Sequence, residues 1–126
     1  MIKFRGINRA GELDEVVSID WMHDEVYFER GTDVATPIDQ ACLMQFTGQK
    51  DFDGKEVYVG DIVEVDYYGE ATERHVVVAG TRDYPAFHLK PGIEAVECND
   101  FSYIACEEGV SIIVVGNIHQ NPELLA

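Results

Sequence analysis

Basic residues are scarce in this chain. Nine Lys and Arg stand against 24 Asp and Glu in 126 residues, so the formal net charge is -15. Proteins that bind DNA or RNA directly neutralise phosphates with Lys and Arg, and this balance therefore argues against direct nucleic-acid binding. The same shortage argues against docking on an anionic membrane surface. An acidic surface either attracts a basic partner or simply keeps the protein in solution.

Long apolar runs and paired cysteines are also absent. No segment approaches the roughly 18 apolar residues that a membrane-spanning helix needs, and residues 1–5 lack the apolar core of a signal peptide. The three cysteines cannot all pair within one chain, and none belongs to a Cys-x-x-Cys motif: Cys42, Cys98 and Cys106. We therefore expect reduced thiols and a cytoplasmic protein.

The overall composition is that of a folded protein. Hydrophobic residues make up 46% of the chain and charged residues 26%, with only 4 prolines, which excludes a disordered chain. A length of 126 residues fits one domain with a modest core. We predict a single domain over residues 1–126, which could divide into N-terminal strands (1–40) and a barrel-like part (41–126).

Alternation of apolar and polar residues predicts strands along most of the chain. The clearest case places Val63, Val65 and Tyr67 on one face of a strand, with Glu64 and Asp66 on the other. Residues 17–21 and 26–28 predict a first hairpin with a turn at 21–24, in which Val17, Ile19 and Trp21 share one face. Two β-branched runs at 74–79 and 111–115 predict central strands.

Glycine, aspartate and proline mark the turns of the predicted sheet. An Asp-Gly pair at 53–54 predicts a tight hairpin, because glycine accepts a positive φ. Proline after a capping residue predicts short helical turns at 37–40, leading into a strand from about residue 41, and at 121–125, where Leu124 and Leu125 pack on the barrel. We assign structural turn roles to eight residues: Gly48, Asp53, Gly54, Gly60, Asp61, Gly116, Asn117 and Pro122.

These patterns together predict a mainly β fold with few short helical turns. The Gly-Asp-Ile-Val sequence at 60–63 is similar to the turn that enters the first long strand of small SH3-like barrels. Such a fold-level likeness says nothing about a ligand. We expect a bent sheet or partly open barrel with SH3-like character.

Two ordered motifs carry a family resemblance. Residues 43–63 read LMQFTGQKDFDGKEVYVGDIV, and residues 114–125 read VVGNIHQNPELL. The first resembles the central motif of the YopX family, and the second resembles the C-terminal motif of the same family. The resemblance implies a small protein encoded by a bacteriophage or prophage, acting in the cytoplasm of the bacterial host. It implies no particular activity.

Catalytic and metal-binding patterns are missing from the sequence. The four histidines do not show the spacing of known metal sites: His23, His75, His88 and His119. No glycine pattern for phosphates or dinucleotides and no nucleophile elbow is present. Three oxygen-bearing residues near the Asp-Gly turn lack the spacing of a calcium loop: Asp51, Asp53 and Glu56. We predict no catalytic residue, metal or cofactor, although a Cys-His pair assembled across strands keeps a small enzyme as an alternative.

Four residues of the central motif are the candidate binding or interface residues. Gln45 and Thr47 flank Phe46, and Tyr58 follows in the next predicted strand. Aromatic residues are enriched in interface cores, so a polar pocket or an inter-subunit contact here is one interpretation. The other is structural: Thr47 anchors the turn at Gly48 through a bond from its side chain to the backbone.

The function expected from the sequence is a non-enzymatic interaction or structural module. Apolar runs at 76–79 and 112–115 exceed what a very small barrel needs, and exposed strand edges must be covered, so we expect self-association. The alternative is an acidic decoy that imitates the charge of DNA and binds a basic host protein.

Overall fold

The computed structural model describes residues 2–30, 35–69, 71–80, 86–91, 101, 104 and 108–125. Cys98 and Cys106 lie outside these residues. Strands dominate, which confirms the predicted mainly β fold. The elements are β1 (Phe4–Ile7), β2 (Leu13–Asp20), β3 (Glu25–Phe28), β4 (Thr36–Pro37), β5 (Met44–Lys50), β6 (Glu56–Tyr58), β7 (Asp61–Tyr67), β8 (Ala71–Val78), β9 (His88–Lys90), β10 (Val110–Asn117) and a 3-10 helix (Pro122–Leu125).

The chain forms two compact units, Met1–Phe46 and Thr47–Ala126. The units divide within β5, whereas the substructure boundary expected from the sequence lies at residues 40–41, in the turn before that strand. The assignment of residues 1–126 to a single domain stays a prediction. In the part of the chain that the structure describes, no helix is long and apolar enough to cross a membrane.

The first unit is an antiparallel array in the order β4, β3, β2, β1, followed by the start of β5. Its core consists of Val26, Phe28 and Ala41. The β2–β3 hairpin with its turn at residues 21–24 is confirmed. The predicted alternation within β2 is wrong, because the pairing register shifts between Val16 and Ser18 and leaves Val17 56% exposed. An extra residue in one strand of a pair interrupts the period of two.

The turn predicted at 37–40 forms, but the strand after it begins later than expected. Thr36 and Pro37 pair with β3, residues 38–40 turn, and β5 begins at Met44. Ala41 lies in a loop rather than in a strand, and its carbonyl accepts the backbone N–H of Ile7 at 2.7 Å. This bond holds the loop against β1 where regular strand pairing was expected.

The second unit contains an antiparallel sheet in the order β10, β7, β8, β9. Its core includes Val63, Val65 and Tyr67, which confirms the alternation predicted for β7. The β8 run is interior as predicted, between β7 and β9. Within the described residues β10 lies at the end of the order, so its assignment as a central strand is wrong. Its edge is covered by a turn instead, since the N–H of Phe52 donates to the carbonyl of Ile112 at 2.8 Å.

The predicted C-terminal helical turn is a 3-10 helix with no buried residue. The side chain of Arg74 on β8 donates to the carbonyl oxygen of Leu124 at 3.0 Å and so fixes the helix on the sheet. Leu125 remains 43% exposed, which corrects the expectation that both leucines would be packed away. A helix of one turn can direct few of its side chains to the sheet.

Candidate functional site

Gln45 and Phe46 lie in the first unit, on the part of β5 that pairs with β1. The Phe46 N–H donates to the carbonyl of Lys3 at 2.9 Å, and the Lys3 ammonium stands 4.8 Å from the centre of the Phe46 ring. A cation over an aromatic face is a favourable contact. Both Gln45 and Phe46 are half-buried, so each presents part of its surface to solvent.

Thr47 and Tyr58 lie in the second unit and have structural contacts there. The Thr47 hydroxyl donates to the carbonyl of Val57 at 2.8 Å and accepts the N–H of Gln49 at 3.2 Å. Tyr58 is 4% exposed, and its hydroxyl donates to Glu56 at 3.4 Å. These contacts favour the structural interpretation of Thr47 and leave Tyr58 little surface for a partner. The interface role of the four residues stays a prediction.

Asp61 holds the corner between β6 and β7. Its carboxylate accepts the N–H of Tyr58 at 2.8 Å, its side chain is fully buried, and Gly60 before it has a φ of 96°. An aspartate that accepts a backbone N–H fixes a turn, and a positive φ favours glycine. At the end of β10 the Asn117 side chain accepts the N–H groups of His119 and Gln120 at 3.0 and 2.9 Å. Both contacts are of the kind expected for turn residues.

Asp51 joins the β5–β6 turn to β10. One carboxylate oxygen accepts the N–H groups of Asp53 and Lys55 at 2.9 and 2.8 Å, and the other accepts the N–H of Val114 at 3.0 Å. The hairpin predicted at the Asp-Gly pair joins β5 to β6, but its connection is longer than a tight turn and runs from residue 51 to 55 around this carboxylate. Gly54 does have the expected positive φ, at 84°. No pattern in the sequence indicates the contact between Asp51 and β10.

His75 is 1% exposed and belongs to a polar cluster that reaches the surface at Glu73. Its Nδ1 donates to the carbonyl of Pro91 at 2.6 Å, and its Nε2 lies 3.2 Å from Glu73 and 3.5 Å from the Tyr67 hydroxyl. Burial raises the pKa of Tyr67, and the charge of Glu73 and its hydrogen bond to the hydroxyl add to the rise. This cluster ties β7 and β8 to the segment after β9. His88 bonds separately to the carbonyl of Ala86 at 3.0 Å.

One group of metal-ligating side chains occurs at the β2–β3 hairpin. Asp20, His23 and Glu25 each place one ligand atom within 4.8 Å of the others. Asp20 and His23 already bond to each other at 2.7 Å, which lowers the pKa of Asp20 and raises the pKa of His23. His23 is exposed and the two carboxylates are half-buried, and acidic groups near the surface are common without a metal, so we assign no ion to the group.

Two grooves in the described part of the chain are candidate substrate sites. In the second unit, a groove of about 760 Å³ is lined by Glu64, Thr72, Arg74, Val76, Lys90, Pro91, Leu124 and Leu125. In the first unit, a groove of about 420 Å³ is lined by Asn8, Arg9, Ala10, Glu12, Phe28, Arg30 and Thr36. An enzyme with an unrecognised site would combine histidine with cysteine or a carboxylate in such a groove. Among the described residues that line them, neither groove contains histidine or cysteine.

The hairpin turn between β2 and β3 was missed as a candidate site by sequence reasoning. Trp21 is 65% exposed and Met22 is 87% exposed, next to Asp20 and Asp24. The position of both residues in a predicted turn already indicated that they are exposed. The alternation of Val17, Ile19 and Trp21 indicated instead that Trp21 belongs to a strand face.

These features define a small, mainly β protein whose buried carboxylates and amides hold its turns and strand edges. A protein-family model described as YopX protein matches residues 7–126. This match covers nearly the whole chain, and the chain belongs to the YopX family. It confirms the resemblance carried by the motifs at 43–63 and 114–125.

Among solved structures, the chain is similar to protein EF1440 from Enterococcus faecalis, which is known from a crystal structure. The TM-score is 0.67 at 25% sequence identity, and the match covers 100% of this chain and 99% of that chain. No curated protein matches the chain. The comparisons establish the family and a β fold, and they do not indicate an activity.

Proposed function

We propose that the chain is a phage- or prophage-encoded, non-enzymatic interaction module that self-associates in the cytoplasm of the bacterial host. The phage or prophage origin follows from the family resemblance alone. Support for a non-enzymatic role comes from the use of the buried polar groups. Asp51, Asp61 and Asn117 bond to backbone N–H groups, and none of the three lines either of the two grooves described above.

The observation that carries self-association is the exposed apolar surface of β10. Ile112 is 4% exposed and packs in the core, whereas Ile113 is 36% exposed and Val115 is 37% exposed. Ile118, just after the strand, is 38% exposed. Exposed apolar side chains at three positions within six residues favour contact with another protein. A second copy of the chain is the partner that is always present.

Light scattering on the purified protein over a range of concentrations tests this proposal. We expect a mass that is a multiple of the 14.1 kDa chain. The substitution Ile113→Lys should shift the mass to that of the single chain, because a buried charge would disfavour the contact. Leu125→Ser is the matched control, since Leu125 is 43% exposed and lies in the same unit, on the 3-10 helix that Arg74 of β8 holds. A wild-type protein that stays monomeric at the highest concentration contradicts self-association.

The net charge of -15 favours a second candidate function. An acidic decoy would bind a basic host protein through charge and lose it as salt screens the contact. Capture by the tagged protein from host lysate at low and high salt tests this candidate. A basic protein that is retained only at low salt supports the decoy. Recovery of the chain alone contradicts it.

A further inference from the structure

The turn between β2 and β3 presents two large apolar side chains on a fixed backbone. We name Trp21 and Met22, with the adjacent acids Asp20, Asp24 and Glu25, the hairpin tip. Trp21 and Met22 are 65% and 87% exposed. Large apolar groups at such exposure have no role in the core of their own unit, and tryptophan is the residue most enriched at the energetic centre of protein interfaces.

Hydrogen bonds hold the tip in one arrangement before any partner arrives. The Asp20 carboxylate accepts the N–H of His23 at 3.1 Å and the ring N–H of His23 at 2.7 Å. The carbonyl of Asp24 accepts the N–H of Ile38 at 2.9 Å, which ties the end of the turn to the segment after β4. A preorganised turn loses less conformational entropy on binding than a flexible loop.

Charge determines the kind of partner that fits. Asp20, Asp24 and Glu25 adjoin the two apolar side chains, and no Lys or Arg occurs between Arg9 and Arg30. A partner with acidic groups would be repelled, and a purely apolar one would add no counter-charge to the bond that Asp20 already has with His23. The complementary surface has an apolar strip bordered by Lys or Arg.

We propose that the hairpin tip is a docking element for a basic, amphipathic protein surface, with Trp21 and Met22 entering its apolar strip. This role goes beyond self-association through β10, because the tip belongs to the first unit and β10 to the second. It also differs from an acidic decoy, in which charge alone would carry the binding. Here the apolar contact decides affinity and the acids select the partner.

Tryptophan fluorescence tests the tip directly, since Trp21 is the single tryptophan of the chain. The probe is an amphipathic Leu/Lys peptide of about 15 residues, a length at which a helix becomes stable on binding. The matched probe has Ser in place of Leu at the same charge. We expect a saturable blue shift of the emission with the Leu/Lys peptide and a dissociation constant about tenfold lower than for the Ser/Lys peptide.

Variants separate the tip from the rest of the acidic surface. Met22→Ser should weaken binding of the Leu/Lys peptide about fivefold and leave the Ser/Lys peptide unchanged. Phe52→Ser should change neither, because Phe52 is equally exposed but lies in the other unit. Thermal unfolding of each variant verifies that it is folded.

Equal affinity for the two peptides, or binding without a shift of the Trp21 emission, overturns the proposal. Repeating the titration on Ile113→Lys separates peptide binding from self-association. If this variant is monomeric and still shows the blue shift, the result supports docking at the hairpin tip and assigns self-association to β10. Loss of the tenfold preference in a folded Ile113→Lys variant overturns the assignment to the tip.

Discussion

Asp51 is the side chain that connects a local turn to a distant strand. Its three backbone bonds reach Asp53, Lys55 and Val114, the last of these 63 positions along the chain, and its side chain is buried. A buried carboxylate with several N–H donors is stabilising because the donors would otherwise be unsatisfied.

Asp51→Ala should lower the free energy of unfolding by about 3 kcal/mol, since it leaves three N–H groups without their acceptor. Urea denaturation followed by circular dichroism measures the change. Asp53→Ala is the control, because Asp53 lies in the same turn with an exposed side chain, and a change below about 0.5 kcal/mol is expected there. Equal losses in the two variants would contradict the role given to Asp51.

Asp14 makes stability depend on pH in the first unit. Burial raises its pKa, but the hydrogen bonds from Asn8 and from the N–H groups of Arg30 and Glu15, with the charge of Arg30, outweigh burial and leave the pKa below its usual value. A lowered folded-state pKa means that the stabilisation is fully present above the unfolded pKa of about 3.9. It is lost as pH falls through the lower folded pKa.

Asp14→Asn should therefore destabilise the protein near neutral pH by about 2 kcal/mol, because the charged acceptor is replaced by a neutral amide. The difference between wild type and variant should shrink as pH falls below about 4. Urea denaturation at a series of pH values measures this. A difference that stays constant down to the acid limit would exclude the carboxylate charge as its cause.

At the residue scale, the sequence predicted which residues form turns better than it predicted their hydrogen bonds to distant strands. Asp61 is predicted to hold its corner because a short carboxylate can bond to the backbone amides of its own turn, and in the structure it accepts the N–H of Tyr58. The contact of Asp51 with Val114 could not be predicted from the sequence. Local spacing describes only bonds between neighbours in the chain, and a bond to another strand depends on how the sheet is assembled.

Gly6 on β1 lies close to the loop at Ala41 and to the ring of Phe28. A Cβ at this position would collide with the carbonyl oxygen of Ala41 and lie 3.1 Å from the Phe28 ring. That carbonyl also accepts the N–H of Ile7, so it cannot move away without loss of a hydrogen bond. The absence of a side chain therefore lets β1 and this loop pack together.

Gly6→Ala should lower the free energy of unfolding by about 3 kcal/mol, the upper part of the range for an overpacked core. Thermal and urea unfolding measure it. Gly11→Ala is the matched control, because Gly11 has a φ of 79° and open space around it, so only backbone strain of about 1 kcal/mol is expected. A smaller loss in Gly6→Ala than in Gly11→Ala would contradict the packing described.

At the element scale, β2 and β10 show that a residue pattern predicts the presence of a strand more reliably than its buried face or its position in the sheet. β10 formed where its β-branched run predicted it, whereas β2 begins at Leu13, four residues before the start that the alternation predicted. The face of Val17 was mispredicted because a bulge follows from pairing with β3. The central position of β10 was mispredicted because apolar residues also occur on an edge strand when a turn, here residues 51–52, covers that edge.

At the scale of the whole molecule, the charge of -15 is the dominant property. Nine Lys and Arg stand against 24 Asp and Glu, so ion pairs such as those of Arg30 with Glu12 and Asp14 neutralise only part of the acidic charge. Like charges that are held together in a compact state repel each other. The folded protein carries this repulsion at low ionic strength.

Added sodium chloride should therefore raise the thermal midpoint of unfolding. Screening shortens the range of repulsion from about 30 Å at 0.01 M salt to about 8 Å at 0.15 M, and we expect most of the rise within this interval. Differential scanning fluorimetry at fixed pH measures it. Sucrose at matched osmolality is the control for effects other than charge. A midpoint that does not change with salt would mean that the acids are too dispersed to destabilise the fold.

The sequence by itself determined the family, the mainly β class and most of the turns of this protein. These depend on local chemistry: side chains alternate along a strand, glycine permits a positive φ, and aspartate bonds to the amides of its own turn. Only the tertiary structure decided the bulge at Val17, the edge position of β10, the bond from Asp51 to Val114 and the exposure of Trp21 and Met22. Each of these depends on which strand lies beside which, and that arrangement follows from the packing of the whole unit rather than from any short stretch of sequence.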